Sequence, residues 1–170
     1  MQKRILLFMA LSTFCHQYVY GNGDGKTTQF QGQILTQLSK SEFLHKAGKW
    51  VSFHLKSQEE ATIDRTLGYI VATCTRKVFI EFSGVPVPMM LHYTLELKNR
   101  NGEVTYLIYD ISYESIPDDG YHPNVIHVDH WKGLKKAGVS PSISSKYRLK
   151  TIVEVGEVIG HISSYLGTKS

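Results

Sequence analysis

The dipeptide Asn101-Gly102, set between two long stretches rich in Leu, Ile and Tyr, constrains the fold of this chain more than any other feature. A two-residue type I′ loop demands positive φ at both central positions, and Asn-Gly is the pair that reaches them most readily. The flanking stretches, Met89–Lys98 and Glu103–Ser112, are therefore expected to form an antiparallel hairpin. With Asn101 and Gly102 as the loop, Arg100 faces Glu103, Leu97 faces Tyr106, Leu95 faces Ile108 and Tyr93 faces Asp110. Side chains alternate between the faces of a strand. One surface then carries Leu91, Tyr93, Leu95, Leu97, Val104, Tyr106 and Ile108, and needs a cover. The other carries His92, Thr94, Glu96 and Lys98 beside Thr105, Leu107, Tyr109, Ile111 and Tyr113. A purely solvated face has no need of so many large apolar groups in a row, so Thr94, Leu107, Tyr109, Ile111 and Tyr113 are the candidate binding surface.

The cover is supplied upstream. In the Leu38–Lys56 stretch, Ser39 stands as N-cap with Glu42 three residues on, a capping box, and Leu38 and Phe43 occupy the staple positions around it. Phe43, Ala47, Trp50, Val51 and His54 follow at helical spacing, an apolar stripe that must lie on something. Downstream, Lys146 to Leu166 keeps Ile152, Val155, Ile159, Ile162 and Leu166 at three-four spacing and predicts a second helix. Gly156 and Gly160 are expected to leave a smooth patch on it, where a sheet or partner could approach.

Gln29–Thr36 reads as a first strand, Ala61–Arg65 as a short one, and Tyr69–Thr75 and Lys77–Phe82 as two more. Pro86 and Pro88 are expected to end that ribbon, because proline cannot donate to a ladder. Ser140–Ser145 reads as a connector, and Ile126–Gly138 as a strand fragment followed by a short basic helix. The fold class predicted is α+β, an antiparallel sheet with helices packed on one face in the order strand, helix, strands, helix.

Met1 to Phe14 pairs a basic start, Lys3 and Arg4, with an apolar run too short to span a bilayer. That is the form of a signal peptide, with cleavage expected after Gly21. The organisation expected is a signal peptide at 1–21, a leader at 22–28, the core at 29–115, an insert at 116–145 and the last helix at 146–166. The destination is the periplasm or exterior. Acylation at Cys15 is less favoured, because such sites want a small residue where Phe14 stands. Cleavage would remove Lys3 and Arg4 and so halve the formal net charge of +4. What remains is too little to argue for a nucleic-acid partner, and no transmembrane segment is expected. Cleavage would also leave Cys74 as the sole cysteine, in an apolar strand that suits a buried thiol.

The insert holds Asp118, Asp119, His122, His127, Asp129 and His130, enough ligand for a transition metal. No single element unites the three histidines, so His122, His127 and His130 stand as the alternative, a metal-binding or metal-dependent hydrolytic site, behind an expectation of no cofactor. The nucleophile elbow, the phosphate-binding Gly-rich loop, His-Glu-x-x-His and Cys-x-x-Cys are all absent from the sequence. The leading expectation is a non-catalytic binding module for a protein partner, a second copy of itself or a small apolar ligand.

Several short stretches carry a resemblance. They are the Leu38-Ser39-Lys40-Ser41-Glu42-Phe43 helix start, Ala47 and Trp50, Gly68-Tyr69-Ile70-Val71, Tyr93-Thr94-Leu95, the Asn101-Gly102 turn and Tyr106 to Tyr113. Together they resemble a secreted bacterial domain family of unknown function described as having a TBP-like fold, over roughly residues 26–115. The resemblance implies the same α+β fold and a periplasmic or envelope setting. It implies no activity.

Overall fold

The computed structural model describes residues 17–19, 28–54, 61–116, 125–128 and 141–167. Within them the order is β1 (Gln17–Val19), β2 (Gln29–Leu35), α1 (Lys40–His54), β3 (Thr62–Asp64), β4 (Tyr69–Phe82), β5 (Val85–Arg100), β6 (Glu103–Ser115), β7 (Val125–His127) and α2 (Pro141–Leu166). The strands form one antiparallel sheet in the order β1-β2-β6-β5-β4-β3, with β7 also paired to β6. Both helices pack on one face.

The Asn101-Gly102 hairpin has the expected form. Both residues take positive φ, 53° and 85°, and Arg100 pairs with Glu103, Leu97 with Tyr106 and Leu95 with Ile108. Leu91, Tyr93, Leu95, Leu97, Val104, Tyr106 and Ile108 are all buried under the helices. A second two-residue loop, Ser83-Gly84, joins β4 to β5 with φ of 52° and 83°. The two strands expected over Tyr69–Phe82 are therefore one, and Pro86 and Pro88 do not end the ribbon but lie inside β5. They are tolerated because β6 pairs with β5 only from Met89 onward, so neither proline is asked to donate to a neighbour on that side.

The capping box forms as read. The Ser39 backbone N–H and hydroxyl both donate to Glu42 Oε2, at 2.9 and 2.7 Å, and Glu42 N–H donates to Ser39 Oγ at 3.3 Å. The two bonds that Ser39 donates hold the Glu42 carboxyl below its ordinary range. Phe43, Ala47, Trp50 and Val51 are buried. His54 is exposed at the helix end, stacked on Trp50 at 5.7 Å. The second helix begins earlier than expected, at Pro141, so the Ser-rich connector is in fact its first turn. Proline suits that position, where its missing N–H would have had no intrahelical partner. Val155, Val158, Ile159, Ile162 and Leu166 face the core. Gly156 and Gly160 face away from it: a Cβ at either would meet nothing within 4 Å, so they do not ease a close approach to the sheet.

One feature of β6 departs from the sequence reading. His92 pairs with Ser112 but Thr94 pairs with Tyr109, so Asp110 and Ile111 together oppose Tyr93. This is a β-bulge, and Asp110 sits in it at φ 51°. It falls where the outer edge of β6 changes partner, from β2 (through Ile108) to β7 (from Ser112).

β1 lies inside the stretch read as a signal peptide and pairs with β2 through Gln17–Gln31, Tyr18–Phe30 and Val19–Gln29. A chain starting at Asn22 would lack it. The short basic helix expected within 131–137 lies outside the described residues.

Candidate functional site

The bulge decides which side chains share the uncovered face of the sheet. Before it, Thr105, Leu107 and Tyr109 point away from the helices and are half-buried by their neighbours. After it the alternation is inverted. Ile111 and Tyr113, expected on the same face as Tyr109, are only 1% and 0% exposed and belong to the core. Tyr113 reaches α2: its hydroxyl lies 2.9 Å from Thr151 Oγ1, which itself donates to Tyr147 O. A threonine hydroxyl has one proton, so Tyr113 is the donor of that bond. The tyrosine rings of 113 and 147 meet edge-on at 5.1 Å. Two of the five candidate residues are thus structural, and Thr94, Leu107 and Tyr109 remain.

What surrounds those three is polar at its centre. Glu96 on β5 accepts a hydrogen bond from the Tyr109 hydroxyl at 2.7 Å, and Tyr69 on β4 is its second phenolic neighbour. Partial burial pushes the Tyr69 hydroxyl up to about 12, with the Glu96 hydrogen bond and charge adding to it. Tyr109 is raised for the same reasons in the same order. Both effects have one physical origin: a phenolate here would be poorly solvated and would face a carboxylate. Lys98 Nζ stands 6.0 Å from the Tyr69 ring. Beside this group the face forms a depression of about 790 Å³, lined by Gln31, Gln33, Thr105 and Leu107 together with Tyr69, Glu96 and Lys98, and rimmed by Leu35 and Leu67. The two leucines are 79% and 55% exposed. The floor includes Gly32, where an added Cβ would collide with the Tyr106 hydroxyl, so that phenol lies flush against the β2 backbone. Sequence reasoning missed Glu96, Tyr69 and the glutamines as site residues because their grouping needs the strand order, which one hairpin does not supply.

A second polar group lies along the same face. His92 Nε2 is 2.9 Å from Glu114 Oε2, and its Nδ1 is 3.2 Å from Thr75 Oγ1. Ser112 and His127 are paired across β6 and β7 beside it. His127 is the one member of the metal-binding alternative that can be placed, on the exposed edge strand β7; His122 and His130 lie outside the described residues. Among the described residues no three metal-ligating side chains come together. Glu81 and Glu96 stand far apart along the sheet, Glu81 opposite Pro86 and Glu96 opposite Val71. Cys74 is fully buried, and burial pushes its thiol up to about 12, which keeps it from acting as a nucleophile where it stands.

Two solved structures share this architecture. A DUF4468 family protein from Bacteroides ovatus superposes with a TM-score of 0.68 at 15% identity, over 87% of this chain and 90% of its own. A TBP-like protein from Parabacteroides distasonis superposes with a TM-score of 0.51 at 12% identity, over 63% and 69%. The fold is therefore the one the sequence resemblance implied, α+β with an open antiparallel sheet and, among the described residues, two helices, and at these identities the likeness is one of fold. No family model and no curated protein matches the sequence.

Proposed function

We propose that this chain, sharing its fold with the DUF4468 and TBP-like structures, is an exported, non-catalytic binding domain that takes a protein partner on the uncovered face of its sheet. The observation that carries the reading is Glu96, hydrogen-bonded by Tyr109 and flanked by Tyr69, at one end of a depression whose lining also includes Leu35, Leu67 and Leu107. A fixed charged acceptor inside an apolar rim is the anatomy of a protein contact, with a specific centre and side chains that exclude water around it. A small apolar ligand fits less well, because Gln31, Gln33, Glu96 and Lys98 would each lose water without finding a partner. Among the described residues no helix is long and apolar enough to cross a membrane.

The test is site-specific photocrosslinking in the exporting cell. A photoreactive residue at Leu107 or Thr94 is expected to capture a discrete partner, and the same residue at Leu149, exposed on α2, is not. Glu96→Arg should abolish the capture at Leu107. Equal capture at all three positions, or capture indifferent to Glu96→Arg, defeats the reading. The export step is checked by intact mass: loss of residues 1–21 supports cleavage after Gly21, whereas retention of Gln17–Val19 in the exported chain would move the cleavage point upstream and keep β1 in the sheet.

A further inference from the structure

The outer edge of β4 is the longest strand edge that the described sheet leaves without a partner. β3 pairs only with Tyr69, Ile70 and Val71, and among the described residues no strand follows it along Arg76–Phe82. The direction of the backbone groups there follows from the Ser83-Gly84 loop. A two-residue loop closes on a pair that exchanges both hydrogen bonds, here Phe82 with Val85, and the pattern then alternates. Even-numbered residues of this stretch bond to β5, and Lys77, Phe79 and Glu81 turn their N–H and C=O outward. The contact at Glu81 agrees: Lys146 Nζ reaches round from α2 and donates to its carbonyl at 2.7 Å. The same three residues put their side chains on the uncovered face of the sheet, where Phe79 is 54% exposed and Lys77 Nζ lies 5.6 Å from its ring.

We infer that this edge pairs with the same edge of a second copy of the chain, antiparallel and two-fold symmetric about Phe79, joining two sheets into one. The occupant is singled out by charge. In Lys77-Val78-Phe79-Ile80-Glu81 the two charges are opposite in sign and equidistant from the phenylalanine. With Phe79 on the axis, Lys77 of each chain stands directly across from the partner subunit's Glu81, twice by symmetry, around a Phe79–Phe79 pair. Directly opposed unlike charges and paired aromatics are the cross-strand contacts that stabilise antiparallel pairing. Moving the axis to Lys77 would set two ammonium groups head to head, so the sequence selects its own register. A lysine in mid-edge ordinarily discourages strand addition. Here it does so for every neighbour except one that offers an acidic residue at the matching position. A symmetric interface of this kind is closed and does not propagate into a fibre.

The experiment is sedimentation equilibrium of the exported chain at concentrations up to about 100 µM, with four variants. Wild type is expected to dimerise. Lys77→Glu and Glu81→Lys each place like charges across the axis and should each weaken the dimer about tenfold or more, whereas Lys77→Glu combined with Glu81→Lys should restore it to within about threefold of wild type. Leu107→Arg, on the proposed partner face, should leave the dimer unchanged, which separates this interface from the one proposed above. All three positions lie on the surface or the uncovered face, and circular dichroism confirms that each variant folds. A monomeric wild type, a dimer indifferent to the single reversals, or a double variant as weak as the singles would each overturn the inference.

Discussion

The two ends of β6 contain the same kinds of residue and do opposite things. Leu107 and Tyr109 sit on the uncovered face, and Tyr109 holds a carboxylate at a solvent-accessible centre. Ile111 and Tyr113, at the same spacing a few residues on, lie in the core, and Tyr113 holds a helix. The tyrosines do not differ in chemistry. Between them stands one additional residue, Asp110 in a left-handed conformation, and an insertion of one in a period of two exchanges the faces of everything beyond it. Whether a strand residue builds a site or a core is here decided by backbone count and not by side-chain type.

The sharpest way to break that contrast is to remove the extra residue. Deleting Asp110 restores unbroken alternation, which would carry Ile111 and Tyr113 to the open face and turn Ser112 and Glu114 toward the helices. Each outcome strips a large side chain from the core or presses a polar one into it, so the expected loss is on the order of 4 kcal/mol or more, measured by urea unfolding. Deletion with little loss of stability would mean that the bulge does not set the faces. Asp110→Gly is the control: it keeps the count and relieves the positive φ, and should leave stability unchanged or slightly higher.

The bulge also marks where the sequence stops being readable. Up to Tyr109, register and face follow from Asn101-Gly102 and the alternation, and all seven residues assigned to the helix side are buried. Beyond it they fail because Asp, unlike Gly, does not advertise a positive φ, and because the bulge lies where β7 takes over from β2 on the far edge, which no local pattern reveals. The Ser83-Gly84 loop shows the same limit differently. Its residues are ordinary turn residues, but the prolines after it suggest an end to the strand, and they are allowed only because β6 is too short to reach them. The capping box and both apolar helical stripes were legible because their partners lie within four residues. The Tyr69–Glu96–Tyr109 centre was not, since it joins three strands.

A smaller effect compares two core tyrosines that share a face but not a hydrogen bond. Tyr113 donates to Thr151, whereas the Tyr93 hydroxyl is buried without a partner of bonding geometry among the described residues, with the weakly polar Cys74 thiol beside it. Tyr113→Phe should cost about 1 kcal/mol, the net value of a buried hydrogen bond. Tyr93→Phe removes a desolvated hydroxyl that has nothing to bind, and should be neutral or stabilising by about 1 kcal/mol. Thermal unfolding of the two variants side by side checks the sign. Equal losses would show that the Tyr93 hydroxyl is satisfied in solution.

The smallest effect concerns ionisation, and it separates the two ends of β6 by cause. Tyr109 and Tyr113 are both raised above the ordinary tyrosine value, and burial is the largest cause for each. For Tyr109 and Tyr69 the Glu96 carboxylate adds a further rise; for Tyr113 the Thr151 hydroxyl acts in the opposite direction, because it can turn to donate to the phenolate. Because the folded state keeps these phenols protonated above the unfolded value near 10, it binds more protons than the unfolded chain at high pH. Their contribution to stability is therefore complete below pH 10 and is lost as pH rises, for Tyr69 through about 12. Glu96→Gln keeps the size of the side chain and removes its charge. Tyr69 and Tyr109 should then ionise at lower pH, though still above the unfolded value because burial remains, while Tyr113 does not move. A rapid pH jump with phenolate absorbance read before the protein unfolds, on single Tyr→Phe backgrounds, resolves the three. If Tyr113 shifts with the other two, or Tyr109 does not shift at all, the carboxylate is not the feature that distinguishes the open end of the strand from the buried one.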